Sequence, residues 1–176
     1  NESRHIVGAV QMSPQGDDSF PAEENMRLSI SNFIKYVERA AANETELLVF
    51  PEAVFWHWAL VGPNPKYMRN SLASQYGQRV PSVGVIPCSA KTYIGDPHFL
   101  LRNSSCIAKE KGMVIVINTV DVQPCTVESD DDCPDDGHFL WNTDVVFSAE
   151  GVVIAKYAKG HIFSTSKVLD QPRKIV

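Results

Sequence analysis

The sequence predicts a single α/β domain, and three observations support this. The chain has 176 residues, apolar strands alternate with helical segments, and two apolar runs are continuous. This length gives room for one core of ordinary size. The runs LLVF (47–50) and MVIVINT (113–119) lack the alternation of half-exposed strands, which favours strands covered on both faces. Helices that alternate with such strands are typical of α/β folds.

The first half of the chain predicts a strand, a helix, a second strand and a second helix. HIVGAVQM (5–12) is a short apolar strand, and a turn-rich loop follows it. From Pro21, which suits the first helical position, apolar residues recur at helical spacing until about Asn43. The buried strand ELLVF comes next. A second helix is predicted over residues 66–76, and Gly77 ends it.

The second half predicts a third helix, a buried strand and a hairpin. The helix begins at Asp96 and Pro97, an N-cap and a first-turn proline, and ends at Gly112. MVIVINT is rich in β-branched residues, as strands are. NTDVVFS and VVIAKYA flank the turn at 149–151, so they are expected to pair as antiparallel strands. The sequence contains no internal repeat.

Composition and charge exclude two classes of function. The formal net charge is −5, the isoelectric point is near 5.5, and the Lys and Arg residues are scattered, so a nucleic-acid partner is not expected. No apolar run approaches the roughly 20 residues that span a bilayer, so no transmembrane segment is expected. The N-terminus lacks a Met and a signal-peptide pattern, which is typical of a processed end.

Cysteines and glycosylation sequons indicate a secreted protein. The four cysteines permit two disulfides in three connectivities. They are Cys88, Cys106, Cys125 and Cys133. Three N-x-S/T acceptor sites accompany them, at Asn1, Asn43 and Asn103. An even number of cysteines together with three sequons favours an extracellular location over the cytosol.

An acidic loop, CTVESDDDCPDDG, separates the third strand from the hairpin. A bridge between Cys125 and Cys133 closes a small surface loop and tethers its ends. The aspartates are interpreted as a solvated, mobile turn. A Ca²⁺ site is the alternative, because carboxylates suit that ion, although the spacing matches no EF-hand loop.

Glu52 is the first candidate for catalysis. It follows a buried strand directly, and ligand sites of α/β sheets collect at the carboxyl ends of strands. Beside Phe50, Phe55 and Trp56 the carboxylate is expected to be desolvated, which suits proton transfer near neutral pH. A helix cap or a paired surface acid is the alternative interpretation.

Lys159 is the second candidate. It ends the apolar strand of VVIAKYAKGHIF, close to His161 and Phe163. A lysine that points into a pocket beside a glutamate stabilises a developing oxyanion and holds the acid in place. The alternative is an exposed basic residue at the exit of a hairpin.

Several motifs, in order, resemble the nitrilase (carbon-nitrogen hydrolase) superfamily and, within it, the vanin and biotinidase branch. The general motifs are VGAVQM, LLVFPE and a Tyr-x-Lys ahead of an apolar pair. The branch motifs are PC (124–125) and CP (133–134) ahead of DG and NTDVVF. The match extends from about residue 7 to residue 163.

The resemblance implies a Glu-Lys-Cys triad that hydrolyses amides, with Glu52 as general base and Lys159 as stabiliser of the tetrahedral intermediate. The cysteine thiolate attacks the carbonyl carbon and forms a thioester that water hydrolyses. The implied fold is a four-layer α-β-β-α sandwich. No cofactor and no metal ion are expected.

The sequence departs from the family pattern at the nucleophile. The cysteine is expected downstream of Lys159, and none occurs there. Cys88 and Cys106 flank the third helix, where a structural bridge is favoured. Ser166 and Lys167 stand where many relatives carry a second glutamate, and Ala158 and Gly160 replace bulkier or polar neighbours of the lysine.

The chain is therefore predicted to be the N-terminal portion of one domain (1–176), with the last third or more of the fold missing. Bare sheet edges invite aggregation, so a second polypeptide is expected to complete the fold. Arg173 and Lys174 form a basic pair of the kind found at cleavage sites. The leading hypothesis is a hydrolase of pantetheine or a biotin amide, and the alternative is an inactive secreted homologue with a structural, storage or binding role.

Overall fold

The computed structural model describes residues 4–16, 20–56, 64–89, 99–162 and 168–172. Within these ranges the chain forms five strands, three α-helices and one short 3₁₀ helix. In chain order they are β1 Val7–Ala9, α1 Ala22–Ala41, β2 Leu47–Val49, α2 Pro65–Tyr76, the 3₁₀ helix Pro87–Ser89, α3 Phe99–Lys111, β3 Val114–Pro124, β4 His138–Phe147 and β5 Val153–Ala158. This order of elements confirms the predicted α/β class.

The five strands form one sheet in the order β1-β2-β3-β4-β5. The first three strands are parallel, and β4 and β5 are antiparallel to their neighbours. The predicted hairpin is confirmed as β4 and β5, and Gly151 in its turn has a φ of 79°. β1 is shorter than predicted, whereas β3 continues to Pro124 because β4 pairs along its whole length.

The helix boundaries agree with the sequence to within about two residues where the structure describes them. Pro21 is the N-cap of α1 rather than its first helical residue. The Asn64 side chain caps α2 by accepting a hydrogen bond from the Tyr67 N–H. Gly112 follows α3 with a φ of 62°. The predicted start of the third helix at Asp96 lies outside the described residues.

Gly77 ends α2 where the chain comes close to β3. A Cβ atom at this position would lie 2.3 Å from the Ala73 carbonyl oxygen and 2.3 Å from Val122 Cγ2. The next residue, Gln78, continues alongside β3, because its N–H donates to Val120 O and its carbonyl accepts from Val122 N–H. The glycine thus permits an approach that a larger residue would block.

One face of the sheet is buried beneath α1 and α3. Leu48, Ile115 and Phe147 are paired across three adjacent strands, and each is at most 3% exposed. They belong to one core cluster with residues of the two helices. The Phe33 ring of α1 lies 4.6 Å from the Phe50 ring, centre to centre. This apolar burial positions the ends of β2 and β3.

The opposite face of the sheet is partly open along one row of paired residues that crosses all five strands. Side chains alternate between faces along a strand, so residues one position away from the buried row share this second face. The paired row across the sheet is Ala9, Val49, Val116, Val146 and Ala155, and each member is half-buried or exposed. We call this row the open apolar row. The prediction that both faces are covered is therefore confirmed for residues 117–121 of β3, which are all buried, and is wrong for β2 and for the first residues of β3.

A buried arginine joins α2 to the acidic loop and to the segment 168–172. Arg69 Nε lies 2.6 Å from Asp136 Oδ2, and Arg69 Nη2 lies 2.9 Å from Asp170 Oδ2. Its other contacts are the carbonyl oxygens of Val168 and His138. Asp170 Oδ2 also accepts a hydrogen bond from the Leu140 N–H at 2.7 Å. The arginine thereby fixes the segment 168–172 against β4.

Candidate active site

Glu52 lies in the tight turn that follows β2. The next residue, Ala53, has a left-handed φ of 62°, which is uncommon for a residue with a Cβ. The Ala53 N–H donates a hydrogen bond to Asn118 Oδ1 on β3 at 3.0 Å. The turn is thus tied to the neighbouring strand at the residue next to Glu52.

Lys159 follows β5, and its side chain reaches Glu52. Its N–H donates to the Asn142 carbonyl oxygen at 2.8 Å, which continues the β4–β5 pairing by one residue. The Lys159 Nζ atom lies 2.8 Å from Glu52 Oε1 and 2.9 Å from Oε2. The structure therefore brings together the two residues that the sequence singled out. One follows β2 and the other follows β5.

The surroundings of Glu52 differ from the sequence-based expectation. The Glu52 side chain is 44% exposed, whereas Phe55 and Trp56 are each 2% exposed. The reason is the turn: it directs Phe55 into the core, where its ring packs edge-on against Phe33, while Glu52 faces the open side of the sheet. The expectation of a desolvated glutamate among apolar side chains is therefore wrong.

One asparagine contacts Glu52, and a second asparagine supports the first. Asn142 Nδ2 on β4 donates to Glu52 Oε1 at 2.5 Å. Asn118 Nδ2 donates to Asn142 Oδ1 at 2.6 Å and to Asp144 Oδ1 at 2.9 Å. Asn118 and Asn142 are at most 3% exposed. Buried polar groups that are hydrogen-bonded in this way hold a fixed geometry.

Asp144 adds a second carboxyl group to the site. Burial raises its pKa, and the charge of Glu52 raises it further, while the hydrogen bond from Asn118 and the charge of Lys159 act in the opposite direction. Sequence reasoning missed Asp144, Asn118 and Asn142 as site residues. The available signal was a set of polar residues within otherwise apolar strands, in INT and NTDVVF.

These groups line a cavity of about 360 Å³. Five of the polar residues that line it have been described above: Glu52, Asn118, Asn142, Asp144 and Lys159. Phe50, Tyr157 and His161 form the rest of the wall. The arrangement can hold a small polar molecule against a carboxylate and an ammonium group at once.

All four cysteines of the sequence form disulfides, Cys88 with Cys106 and Cys125 with Cys133. Cys106 lies within α3, and Cys88 lies in the 3₁₀ helix that precedes it. The second bridge closes the acidic loop, as the sequence predicted. None of the four is available as a thiolate nucleophile in this state.

The remaining predicted positions are exposed, half-buried or outside the described residues. Asn43 is exposed just beyond α1, and Asn103 is half-buried in α3, where its Nδ2 donates to the Phe99 carbonyl oxygen. Asn1, Ser166 and Lys167 lie outside the described residues. Ala158 and Gly160, on either side of Lys159, are half-buried. Glycosylation of the three asparagines stays a prediction.

The described part of the chain contains neither a candidate metal site nor a candidate membrane span. It holds no cluster of three or more His, Cys, Asp or Glu side chains placed to bind a metal ion. Nor does any helix there combine the length and the apolarity that crossing a bilayer requires.

Known proteins resemble this chain in sequence. The sequence model of the Carbon-nitrogen hydrolase family matches residues 6–175. Human Pantetheinase is 31% identical over 140 residues, which cover 78% of this chain and 25% of that protein. Vanin-like protein 3 of Drosophila melanogaster is 28% identical over 163 residues, 90% of this chain and 27% of that protein. The chain thus spans about a quarter of these relatives' length.

Solved structures show the same fold. A carbon-nitrogen hydrolase from Helicobacter pylori G27 superposes with a TM-score of 0.61 at 15% identity, over 96% of this chain and 45% of that chain. An amidase from Nesterenkonia sp. AN1 in complex with acrylamide gives 0.61 at 13% identity, over 99% and 51%. The fold is therefore nitrilase-like and represents part of a domain. By its family match and its vanin-type relatives, the chain belongs to the carbon-nitrogen hydrolase family.

Proposed function

We propose that this chain is the part of a vanin-type amide hydrolase that supplies the general base, Glu52, and the cationic stabiliser, Lys159. The observation that carries the proposal is the contact of Lys159 Nζ with both carboxylate oxygens of Glu52 inside a cavity. A surface ion pair needs neither the cavity nor the buried amides that hold Glu52. Their presence favours a catalytic role over the simpler alternative.

Each group has a chemical task in the proposed reaction. Glu52 accepts the proton of a cysteine thiol, and the thiolate attacks the amide carbon. Lys159 stabilises the negative charge that develops on the carbonyl oxygen. Glu52 returns its proton to the leaving amine, and a thioester remains. Water then attacks the thioester with Glu52 as base, which releases the acid and regenerates the thiol.

The nucleophile in this proposal comes from a segment outside the 176 residues. The same segment covers the open apolar row, whose half-exposed valines need burial in a stable protein. The intact mass before and after reduction shows whether that segment is continuous with this chain or is a separate polypeptide. A mass equal to this chain alone, in material that is active, would contradict the proposal.

Pantetheine is the proposed substrate, because relatives that share this region are named pantetheinases. The test is the release of cysteamine from pantetheine by purified protein, with a biotin amide as the comparison substrate. Glu52→Gln should abolish release, whereas Glu110→Gln, an exposed acid at the end of α3, should not alter it. Equal activity of wild type and Glu52→Gln would refute the assigned base.

An extracellular location is part of the proposal. Two disulfides support it, since such bonds persist in oxidising compartments, and so do the three sequons. Asn43 is the sequon asparagine best placed for a glycan, because it is exposed beyond the end of α1. A mass decrease on enzymatic deglycosylation of protein from a eukaryotic host tests this. An unchanged mass would remove the sequons as support.

A second candidate is an inactive homologue with a binding or storage role. Two observations favour it: every cysteine of the sequence is in a disulfide, and Ser166 and Lys167 replace the acid found in many relatives. The two candidates differ in one measurable property. An enzyme needs a free thiol in the completed protein, which alkylation under non-reducing conditions detects by mass. Absence of any alkylated cysteine, together with no cysteamine release, would establish the inactive role.

A further inference from the structure

The two buried asparagines form a continuous chain of hydrogen bonds that ends on Glu52. It begins at the Ala53 N–H, passes through the Asn118 and Asn142 side chains, and reaches Glu52 Oε1. A branch leads from Asn118 Nδ2 to Asp144 Oδ1. The chain thus leaves the turn that carries Glu52, crosses β3 and β4, and returns to the same residue's side chain.

Only one orientation of the two amides satisfies every contact in this chain. A backbone N–H can only donate, so the Asn118 oxygen must face Ala53. The Asn118 Nδ2 group then points to Asn142 and Asp144, and it donates to an oxygen of each. Because the Asn142 oxygen is used in this way, its own Nδ2 must face Glu52. The Ala53 N–H therefore fixes the orientation of both amides.

As a consequence, the two carboxylate oxygens of Glu52 accept different numbers of hydrogen bonds. Lys159 Nζ contacts both oxygens, but Asn142 donates to Oε1 alone. Among the described residues, Oε1 accordingly has two donors and Oε2 has one. The oxygen with fewer donors keeps a lone pair directed away from the protein contacts, which is where a proton can be received.

We propose that Asn118 and Asn142 are positioning residues that hold Glu52 so that Oε2 exchanges the proton during turnover. The inference rests on the proposed function, since it needs Glu52 to be the base. It adds that the base is oriented by a two-residue amide chain on β3 and β4, and that this chain acts through Glu52 without contact to the reacting atoms.

The test uses the active protein, with the segment that supplies the nucleophile present, and the variants Asn142→Ala and Asn118→Ala. Each should lower kcat for pantetheine by about 10- to 100-fold, the range for a lost hydrogen bond to a charged group, and leave KM little changed. The double variant should lose little more than either single variant, because the two residues act in series. The control is Asn70→Ala, an exposed asparagine on α2.

The pH profile separates positioning from a general loss of structure. Asn142→Ala removes one hydrogen-bond donor from the Glu52 carboxylate, so the acid limb of the kcat/KM profile should move to higher pH. The other ionisable groups that face this cavity are Asp144, Tyr157, Lys159 and His161, and the variant keeps them all. An unmoved limb together with wild-type kcat in Asn142→Ala would overturn the inference. Glu52→Gln remains inactive in that case, so the proposed function would survive.

A measurement without turnover covers the case in which Asn118→Ala fails to fold. In the unsubstituted protein, the side-chain amide protons of Asn142 should give a downfield nuclear magnetic resonance signal that Glu52→Gln displaces. This follows from the charge-assisted hydrogen bond at 2.5 Å. An Asn142 amide signal that is identical in wild type and Glu52→Gln would overturn the inference whatever the kinetics of the asparagine variants.

Discussion

The Lys159 ammonium group bridges both carboxylate oxygens of Glu52, at 2.8 and 2.9 Å, although 107 residues separate the two in sequence. Glu52 lies in the turn after β2, and Lys159 follows β5, with β3 and β4 between these strands. The pair can form because both side chains lie on the same face of the sheet. The geometry of the pair therefore depends on the register of the strands between the two residues as well as on the residues themselves.

Lys159→Met should separate activity from stability. Because the pair is partly exposed, its loss should change the free energy of unfolding by less than about 1 kcal/mol. Cysteamine release should fall by at least about 100-fold, as for the loss of an oxyanion donor. Urea unfolding and the turnover assay on the same preparation measure the two effects. Lys156→Met, an exposed lysine on β5, is the matched control, and equal activity of the two variants would contradict the role of Lys159.

Arg69→Met should destabilise the protein strongly. The Arg69 side chain is 10% exposed and donates to Asp136, Asp170 and two carbonyl oxygens, which the variant leaves without their partner. Removal of one member of a buried ion cluster costs about 3–5 kcal/mol. Urea unfolding gives the value. Lys66→Met, an exposed residue of the same helix, should change it little, and a similar small change for Arg69→Met would show that the cluster is not a structural tie.

Asp121 should make stability depend on pH in the acid range. This residue is 1% exposed on β3, and burial raises its pKa to about 6 from 3.8, against the hydrogen bonds from Val80 and Gln123. Between pH 4 and 6 the folded state binds more protons at this site than the unfolded state does. Stability from this group therefore falls as pH rises through that window.

Asp121→Asn should remove that contribution and keep an oxygen that accepts from the Val80 N–H. The difference between 3.8 and about 6 corresponds to about 3 kcal/mol, so the variant should gain up to that amount at pH 7.5. Unfolding midpoints from pH 4 to 8 measure it, with Asp131→Asn in the exposed loop as the control. A wild-type pH dependence retained in Asp121→Asn would refute the assignment.

Gly77→Ala should show that the close approach of α2 to β3 is required. The added Cβ meets the Ala73 carbonyl oxygen and Val122 Cγ2 at 2.3 Å, so backbone must shift. We expect a loss of about 1–3 kcal/mol, as for overpacking of a core. Gly84→Ala, at a glycine with open space but a φ of 92°, reports the cost of backbone strain alone. A smaller effect at Gly77 than at Gly84 would contradict the steric explanation.

The sequence singled out Glu52 and Lys159 as candidates because each follows a recognisable strand. Glu52 follows LLVF and Pro51, and Lys159 comes directly after the hairpin's second strand, so the local sequence pattern is enough to place both residues near strand ends. The helices and the α/β class were predicted for the same reason, since periodicity is a local property. The short spacing of Cys125 and Cys133 predicted the second disulfide, which closes the acidic loop.

The asparagines were missed because their role depends on register. Asn118 on β3 pairs directly with Asp144 on β4, and Asn142 is its diagonal neighbour on β4. Neither relation can be inferred from the local sequence. The exposure of Glu52 was predicted wrongly for a related reason. Adjacent residues in a turn point in different directions, so the apolar character of Phe55 says nothing about the surroundings of Glu52.

The most direct test of the central claim is mass spectrometry of the active protein, quenched with acid during turnover of pantetheine. We expect a pantothenoyl thioester on one cysteine outside these 176 residues, and no such adduct in Glu52→Gln. An adduct on Cys88, Cys106, Cys125 or Cys133, or the same adduct formed at the wild-type rate in Glu52→Gln, would contradict it.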